Sequence, residues 1–253
     1  MPSLFRRPLR AALVLALALA PVTVRAEEAL IAVAANFADV ARFLAADYGA
    51  RTGHAITVAT GSTGKIYAQI VHGAPYDAML SADQARPARL EEEGRAVPGS
   101  RFTFATGRLA LWSADPAMIG ADGAQTLRVG NFARLAIANP KLAPYGVAAR
   151  QVLERLGLWD ALSGKLAMGQ NIGQTHALAS SGAAELGLVA WSQVQTGVTG
   201  SVWRVPDSLH DPIRQDAVLL WHGAENAAAK GFLEFLNTGG ARSYIRASGY
   251  GTL

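Results

Sequence analysis

Residues 55–66, Ala-Ile-Thr-Val-Ala-Thr-Gly-Ser-Thr-Gly-Lys-Ile, decide how the rest of the chain is read. An apolar, β-branched run over 55–59 predicts a strand. The Thr60-Gly61-Ser62-Thr63-Gly64 turn then breaks it, and a helical stretch follows to about His72. A strand feeding a Gly/Ser loop at a helix N-terminus aims unpaired backbone N–H groups, and the positive end of the helix dipole, at one point. That is an anion cradle. Which anion it holds, and whether it reacts with it, must come from the rest of the chain.

Working outward, strand and helix signals alternate. Residues 30–35 (LIAVAA) read as a buried strand, and 37–51 carry a helical stripe through Phe37, Val40, Ala41, Leu44, Ala45 and Tyr48, closed by Gly53. Behind the central loop come a strand over 78–81 and a charged helix over 84–94. This β-α-β-α-β-α order predicts a mainly parallel sheet with helices on its faces. After Pro98, strands are predicted over 102–105 and 109–112, joined at Thr106-Gly107-Arg108. A second α/β unit follows, with strands over 134–138, 166–168, 186–190 and 202–205 and helices over 145–156 and 174–181. A strand over 217–221 and helices over 226–237 and 241–247 finish the chain.

The first 26 of the 253 residues read as a cleavable leader. Arg6, Arg7 and Arg10 precede the apolar run 11–20, and Val24-Arg25-Ala26 is a small-x-small cleavage site. Export to the periplasm, with cleavage after Ala26, is expected. The run is short for a membrane span, so no stable membrane insertion is expected. The formal charge of +4 resides in the leader, because it carries four arginines and no acid. The mature chain balances 19 basic against 19 acidic residues, which argues against nucleic acid as a partner. Cysteine is absent, which excludes disulfides, thiol catalysis and Cys-ligated metal.

If the strands of each unit run parallel, the loops at their C-terminal ends share an edge where ligands bind. Those loops are Asn36-Phe37, 61–64, 81–83, 143–146 and 170–173, and Asp83 is their single charged residue. Neutral donors suit a fully ionised oxyanion, whereas a phosphate that keeps a proton wants an acceptor carboxylate. Sulfate, molybdate or tungstate is therefore favoured over phosphate. Each residue also has a plainer role. Asn36, Ser62 and Thr63 read as helix N-caps, Tyr145 after Pro144 as a packed aromatic, and Ile172 as core. Only the recurrence of such turns across both units lifts them above those roles.

Two sharper motifs overlap the same loop. A P-loop needs Gly-x4-Gly-Lys-Ser/Thr, but Ala59 stands at the first Gly and Ile66 at the Mg²⁺-binding hydroxyl. Nucleotide binding is excluded. Ser62-Thr63-Gly64-Lys65 fits the Ser-x-x-Lys of penicillin-recognising hydrolases, but no Ser-Asp-Asn or late Lys-Thr-Gly accompanies it. The five histidines show no metal-ligand spacing, and His72 and His176 are expected at exposed helix ends. Binding rather than catalysis is expected, with no cofactor.

Several stretches carry a family likeness: 32–37 (AVAANF), 60–70 (TGSTGKIYAQI), 77–83 (DAMLSAD), 137–147 (IANPKLAPYGV), 169–174 (GQNIGQ), 186–189 (LGLV) and Pro212-Ile213. On these the mature chain resembles the periplasmic molybdate-binding proteins of ABC transporters, which are type II solute-binding proteins, along essentially its whole length. The resemblance implies a two-lobed α/β fold, each lobe a mainly parallel sheet flanked by helices. Residues 27–107 plus 215–253 would form lobe I and 108–214 lobe II, with a two-crossing hinge near Gly107 and Gln215. It implies a monomer that closes on molybdate, and on tungstate as well, and delivers it to an ABC permease. Sulfate or another tetrahedral oxyanion is the alternative ligand, and a Ser-Lys hydrolase the remote one. The implied ligand set is Asn36, Ser62, Tyr145 and Ile172, the metal entering only as molybdate. Family members with Ser in the first loop carry a Tyr in the strand near Ala190, and Tyr145 would replace that phenol here. Ala35 would contribute backbone at most.

Overall fold

In the computed structural model, residues 26–197 and 199–251 are described. Residues 1–25 of the expected leader therefore lie outside the described residues. Two five-stranded sheets build the molecule. The first contains β1 (Glu28–Ala34), β2 (Ala55–Gly61), β3 (Ala78–Leu80), β4 (Phe102–Gly107) and β10 (Ile213–Leu219) in the order β2-β1-β3-β10-β4. The second contains β5 (Leu109–Ser113), β6 (Leu135–Ala138), β7 (Leu166–Gly169), β8 (Leu186–Ala190) and β9 (Ser201–Arg204) in the order β7-β6-β8-β5-β9. In each sheet one strand, β10 or β5, runs against the other four. Both sheets are thus mainly parallel, in line with the expected two-lobed fold. We call the first lobe I and the second lobe II. The chain passes from the first sheet to the second between β4 and β5, and back between β9 and β10.

Parallel register sets the site. Ala34 pairs with Gly61 and Val33 with Leu80, so β1, β2 and β3 end level with one another. Ala138 pairs with Gly169 in the other sheet. The continuous apolar runs of β1 and β6 follow from burial on both faces. Helices then leave these edges: α1 (Ala38–Thr52), α2 (Thr63–Val71), α5 (Pro144–Arg155) and α7 (Ile172–Ser180). Pro144 at the start of α5 costs nothing, since the first helical N–H has no partner to lose. Gly53, at φ 79°, takes the left-handed conformation that terminates α1.

Each lobe packs apolar side chains on both faces of its sheet. In lobe I, Phe37, Leu44, Phe104, Phe232 and Ile245 fill one face, and Ile66, Met79, Leu90 and Val218 the other. In lobe II, Leu111, Leu127, Ile137, Val152 and Leu153 pack together, and the cluster reaches Ala34 and Ala82 of lobe I. Fully burying one such side chain is worth about 1.5–3 kcal/mol.

The structure adds two helices that the sequence pattern did not signal, α4 (Gly123–Val129) and α6 (Trp159–Leu162). It also corrects the last strand. β10 begins at Ile213 rather than 217, because the polar pair Gln215-Asp216 lies fully buried inside it. Asp216 is held by Thr103 Oγ1 (2.6 Å), Arg101 (2.7 Å) and Gln84 Nε2 (3.1 Å), so its charge is paired rather than stranded. A register shift falls between these two residues.

Candidate anion-binding site

Four helix entrances converge on one small cavity. Ala35, Asn36, Ser62 and Thr63 line it from lobe I, and Tyr145, Asn171 and Ile172 from lobe II. All four ligand residues implied by the resemblance therefore meet here. At 6%, 4%, 1% and 3% exposure, Asn36, Ser62, Tyr145 and Ile172 are shut away from solvent. The lobes touch directly beside them, where Gly64 N donates to Leu142 O across the cleft (2.9 Å).

Ser62 is the N-cap of α2, its Oγ accepting from the Lys65 backbone at 3.4 Å. A cap and an anion ligand use the same helix end, so the two roles coexist. Thr63 turns inward as well, its Oγ1 accepting from Ala82 N (3.1 Å). Ile172 opens α7 behind its N-cap Asn171, whose Oδ1 accepts from Gln174 N (2.9 Å). Among the first-turn N–H groups of α2, α5 and α7, those of Gly64, Lys65, Gly146 and Gln174 already have acceptors, which leaves Thr63, Tyr145, Ile172 and Gly173 open to a guest.

Asn36 is not the cap expected of it. It lies in a 3-10 turn, Ala35–Phe37, ahead of α1, with no side-chain cap bond at that helix start. Its Nδ2 instead donates to Gln215 Oε1 (2.9 Å) and lies 3.4 Å from the Tyr250 hydroxyl. Gln215 Nε2 in turn faces the Tyr145 hydroxyl at 3.5 Å. Burial above all holds the Tyr145 phenol well above its usual range, so it keeps its proton. Gln215 Nε2 donates to its oxygen, which leaves the phenol proton to point elsewhere. Gly107 leaves room for this arrangement: a Cβ there would stand 2.3 Å from the Tyr145 hydroxyl and 2.7 Å from Gln215 Nε2. Tyr145 is thus both a packed aromatic and a neutral donor.

No charged side chain lines the cavity among the described residues. Asp83 is turned to Arg86 and Ser81, and Asp39 is exposed and paired with Arg42 (2.8 Å). Lys65 is exposed, and Ser62 Oγ has no side-chain base among its hydrogen-bond partners. Of the two histidines, His72 does sit exposed at a helix end, but His176 does not. It lies within α7, stacked on Trp112 with centroids 5.2 Å apart. No group of three or more potential metal ligands occurs among the described residues. Gln215 and Tyr250 were not among the expected site residues. The signals were a lone Gln-Asp in an apolar strand and an aromatic close to the C-terminus.

This architecture has known counterparts. A family model described as bacterial extracellular solute-binding protein matches residues 29–251. The chain belongs to that family. The molybdate-binding protein ModA of Rhodobacter capsulatus is 49% identical to it over 241 residues, covering 95% of this chain and 94% of that one. ModA of Azotobacter vinelandii is 47% identical over 232 residues, covering 90% and 91%. The solved structure of the Azotobacter vinelandii periplasmic molybdate-binding protein superposes with a TM-score of 0.86 at 40% identity, over 89% of this chain and 99% of that one. A sulfate-binding protein from Mycobacterium tuberculosis shares the fold alone, at 13% identity and a TM-score of 0.68.

Proposed function

We propose that this solute-binding protein captures molybdate between its lobes in the periplasm and delivers it to an ABC importer. The observation that carries this reading is the chemistry of the cavity: side-chain and backbone donors from four helix entrances, and no carboxylate in its lining. A dianion that has lost all its protons is satisfied by donors alone. A phosphate that keeps a proton would leave that proton without an acceptor. The names of the similar proteins from Rhodobacter and Azotobacter select molybdate among the remaining oxyanions.

In this reading Ser62 gives its hydroxyl and backbone N–H, Asn36 its side chain or backbone, Tyr145 its hydroxyl or backbone N–H, and Ile172 its backbone N–H. Lobe I spans 27–107 plus 215–253 and lobe II spans 108–214, with the hinge at the two crossings near Gly107 and Gln215. Closure removes water from around the anion, and the closed form is what a permease recognises as loaded. The protein works as a monomer without a cofactor and without catalysis. The Ser-Lys hydrolase reading loses its base, because Ser62 is met by the Lys65 backbone and not by the lysine side chain. The leader is removed after Ala26, which mass spectrometry of the exported protein would verify.

Tungstate shares the charge and nearly the size of molybdate and binds comparably. Titration calorimetry of the mature chain with molybdate, tungstate, sulfate and phosphate tests the reading. Tight binding of the first two, with much weaker sulfate and phosphate, is expected. Sulfate binding as tight as molybdate would overturn it in favour of a sulfate carrier.

A further inference from the structure

Tyr250 does not line the cavity, yet its hydroxyl joins the two halves that do. Its ring packs edge-on against Phe37, centroids 5.3 Å apart. The hydroxyl donates to the Asn36 carbonyl (2.5 Å) and accepts from Ser192 Oγ (3.0 Å). Asn36 belongs to the turn after β1 in lobe I, and Ser192 to the 3-10 turn Trp191–Gln193 after β8 in lobe II. One phenol therefore spans both lobes. Burial pushes it up to about 12, so it stays a donor throughout the physiological range.

The neighbouring residues reinforce this span. Gln195 Nε2 of lobe II donates to Ala247 O (3.0 Å), at the end of α9 (Gly239–Ala247). Gly251 exchanges two backbone hydrogen bonds with Thr106 (2.7 and 2.8 Å), one residue before the crossing at Gly107. Residues 247–251 are thus fastened on one side to lobe II and on the other to the strand that enters the hinge.

We propose that Tyr250 is a positioning residue and the centre of a closure latch, a non-covalent tie between the lobes that forms as the cleft shuts and fixes the Asn36 peptide beside the anion. It rests on the anion-binding reading above. The hydroxyl can hold Asn36 and Ser192 at once only when both lobes are in contact around it. On this proposal, opening breaks the Ser192 bond before the anion leaves. The same hydroxyl fixes the Asn36 peptide, while Gln215 fixes the Asn36 amide, so closure and donor alignment are one event. A residue acting this way slows release of the anion far more than it speeds capture.

Tyr250→Phe keeps the ring against Phe37 and removes only the hydroxyl. Ser192→Ala removes the lobe II partner and leaves the lobe I bond intact. Stopped-flow release of molybdate from the mature chain, followed by tryptophan fluorescence, should be about three- to tenfold faster in each variant, with association nearly unchanged. The double variant should be no faster than Tyr250→Phe alone, because both changes open the same tie. Release rates within about twofold of native in both single variants would overturn the latch. So would effects that multiply in the double variant, or a loss of melting temperature in the anion-free protein with release unchanged. Ser192→Ala decides the matter if Tyr250→Phe does not fold. A native chain that takes up no molybdate would overturn the anion reading and the latch together, whereas native uptake with unchanged variants overturns the latch alone.

Discussion

Lobe I and lobe II share one strand order and offer helix entrances to the same cavity, but they build their halves of the site differently. Lobe I lines the cavity with the polar side chains of Asn36, Ser62 and Thr63. Asn36 is oriented by Gln215 and Tyr250, and Ser62 is set by the cap of α2. Lobe II sets one phenol, Tyr145, beside Ile172, which has only backbone to give. A half-site made of side chains is tuned by substitution, and its failure leaves buried partners unsatisfied. A half-site made of backbone tolerates substitution as long as the helix entrance keeps its shape.

That contrast can be broken most severely at Asn36. Asn36→Ala removes a donor and strands Gln215 Oε1 in a buried setting, so molybdate binding should weaken by about 2–4 kcal/mol in calorimetry. Wild-type affinity would show that the lobe I side chains are structural only. Ser62→Ala comes next, at about 1–3 kcal/mol, since one charge-assisted hydrogen bond is lost while backbone donors remain. Lys65→Ala, three positions on, should bind as the native protein does. A reversed order of these two would move the site to the lysine.

The lobe II half is sharpened by Ile172→Val. It should lower stability by about 0.5–1.5 kcal/mol in thermal or urea unfolding, because Ile172 is core. The affinity for molybdate should hold, because the backbone N–H is untouched. A selective loss of affinity would mean that the side chain shapes the pocket.

The subtlest effect concerns α7, which carries Ile172 at its start and His176 within it. Desolvation lowers the His176 pKa from the ordinary 6.5. The unfolded chain therefore takes up this proton more readily than the folded one, and stability is lost as pH falls below about 6.5. His176→Gln should flatten the fall of melting temperature between about pH 7 and pH 5. An unaltered slope would assign the pH dependence to other groups.

Much of this was legible in the chain. Short apolar runs such as 30–35 gave nearly every strand of both sheets, because parallel strands covered on both faces are written as unbroken apolar runs. Helix entrances were marked by Ser62 and Pro144, residues chosen for local reasons that hold in any context. The misreadings share a cause. β10 was cut short at its polar pair because nothing local says that Asp216 will meet Arg101 and Thr103. Asn36 looked like a cap because the sequence does not show that Gln215, 179 positions away, accepts from its amide. His176 looked exposed because its stacking partner Trp112 belongs to a distant strand.

The central loop shows the division most clearly. Its own residues determine the strand, the Ser62 cap and the helix dipole, since turn and cap energetics act within a few residues of each other. They also make Lys65 conspicuous, and there local reading stops. Tertiary packing turned Lys65 to solvent and brought Tyr145 and Ile172 across a cleft to face Ser62. It also tied Asn36 to a strand and a C-terminal segment far along the chain. Those choices depend on which groups become buried together, and burial is a property of the folded whole.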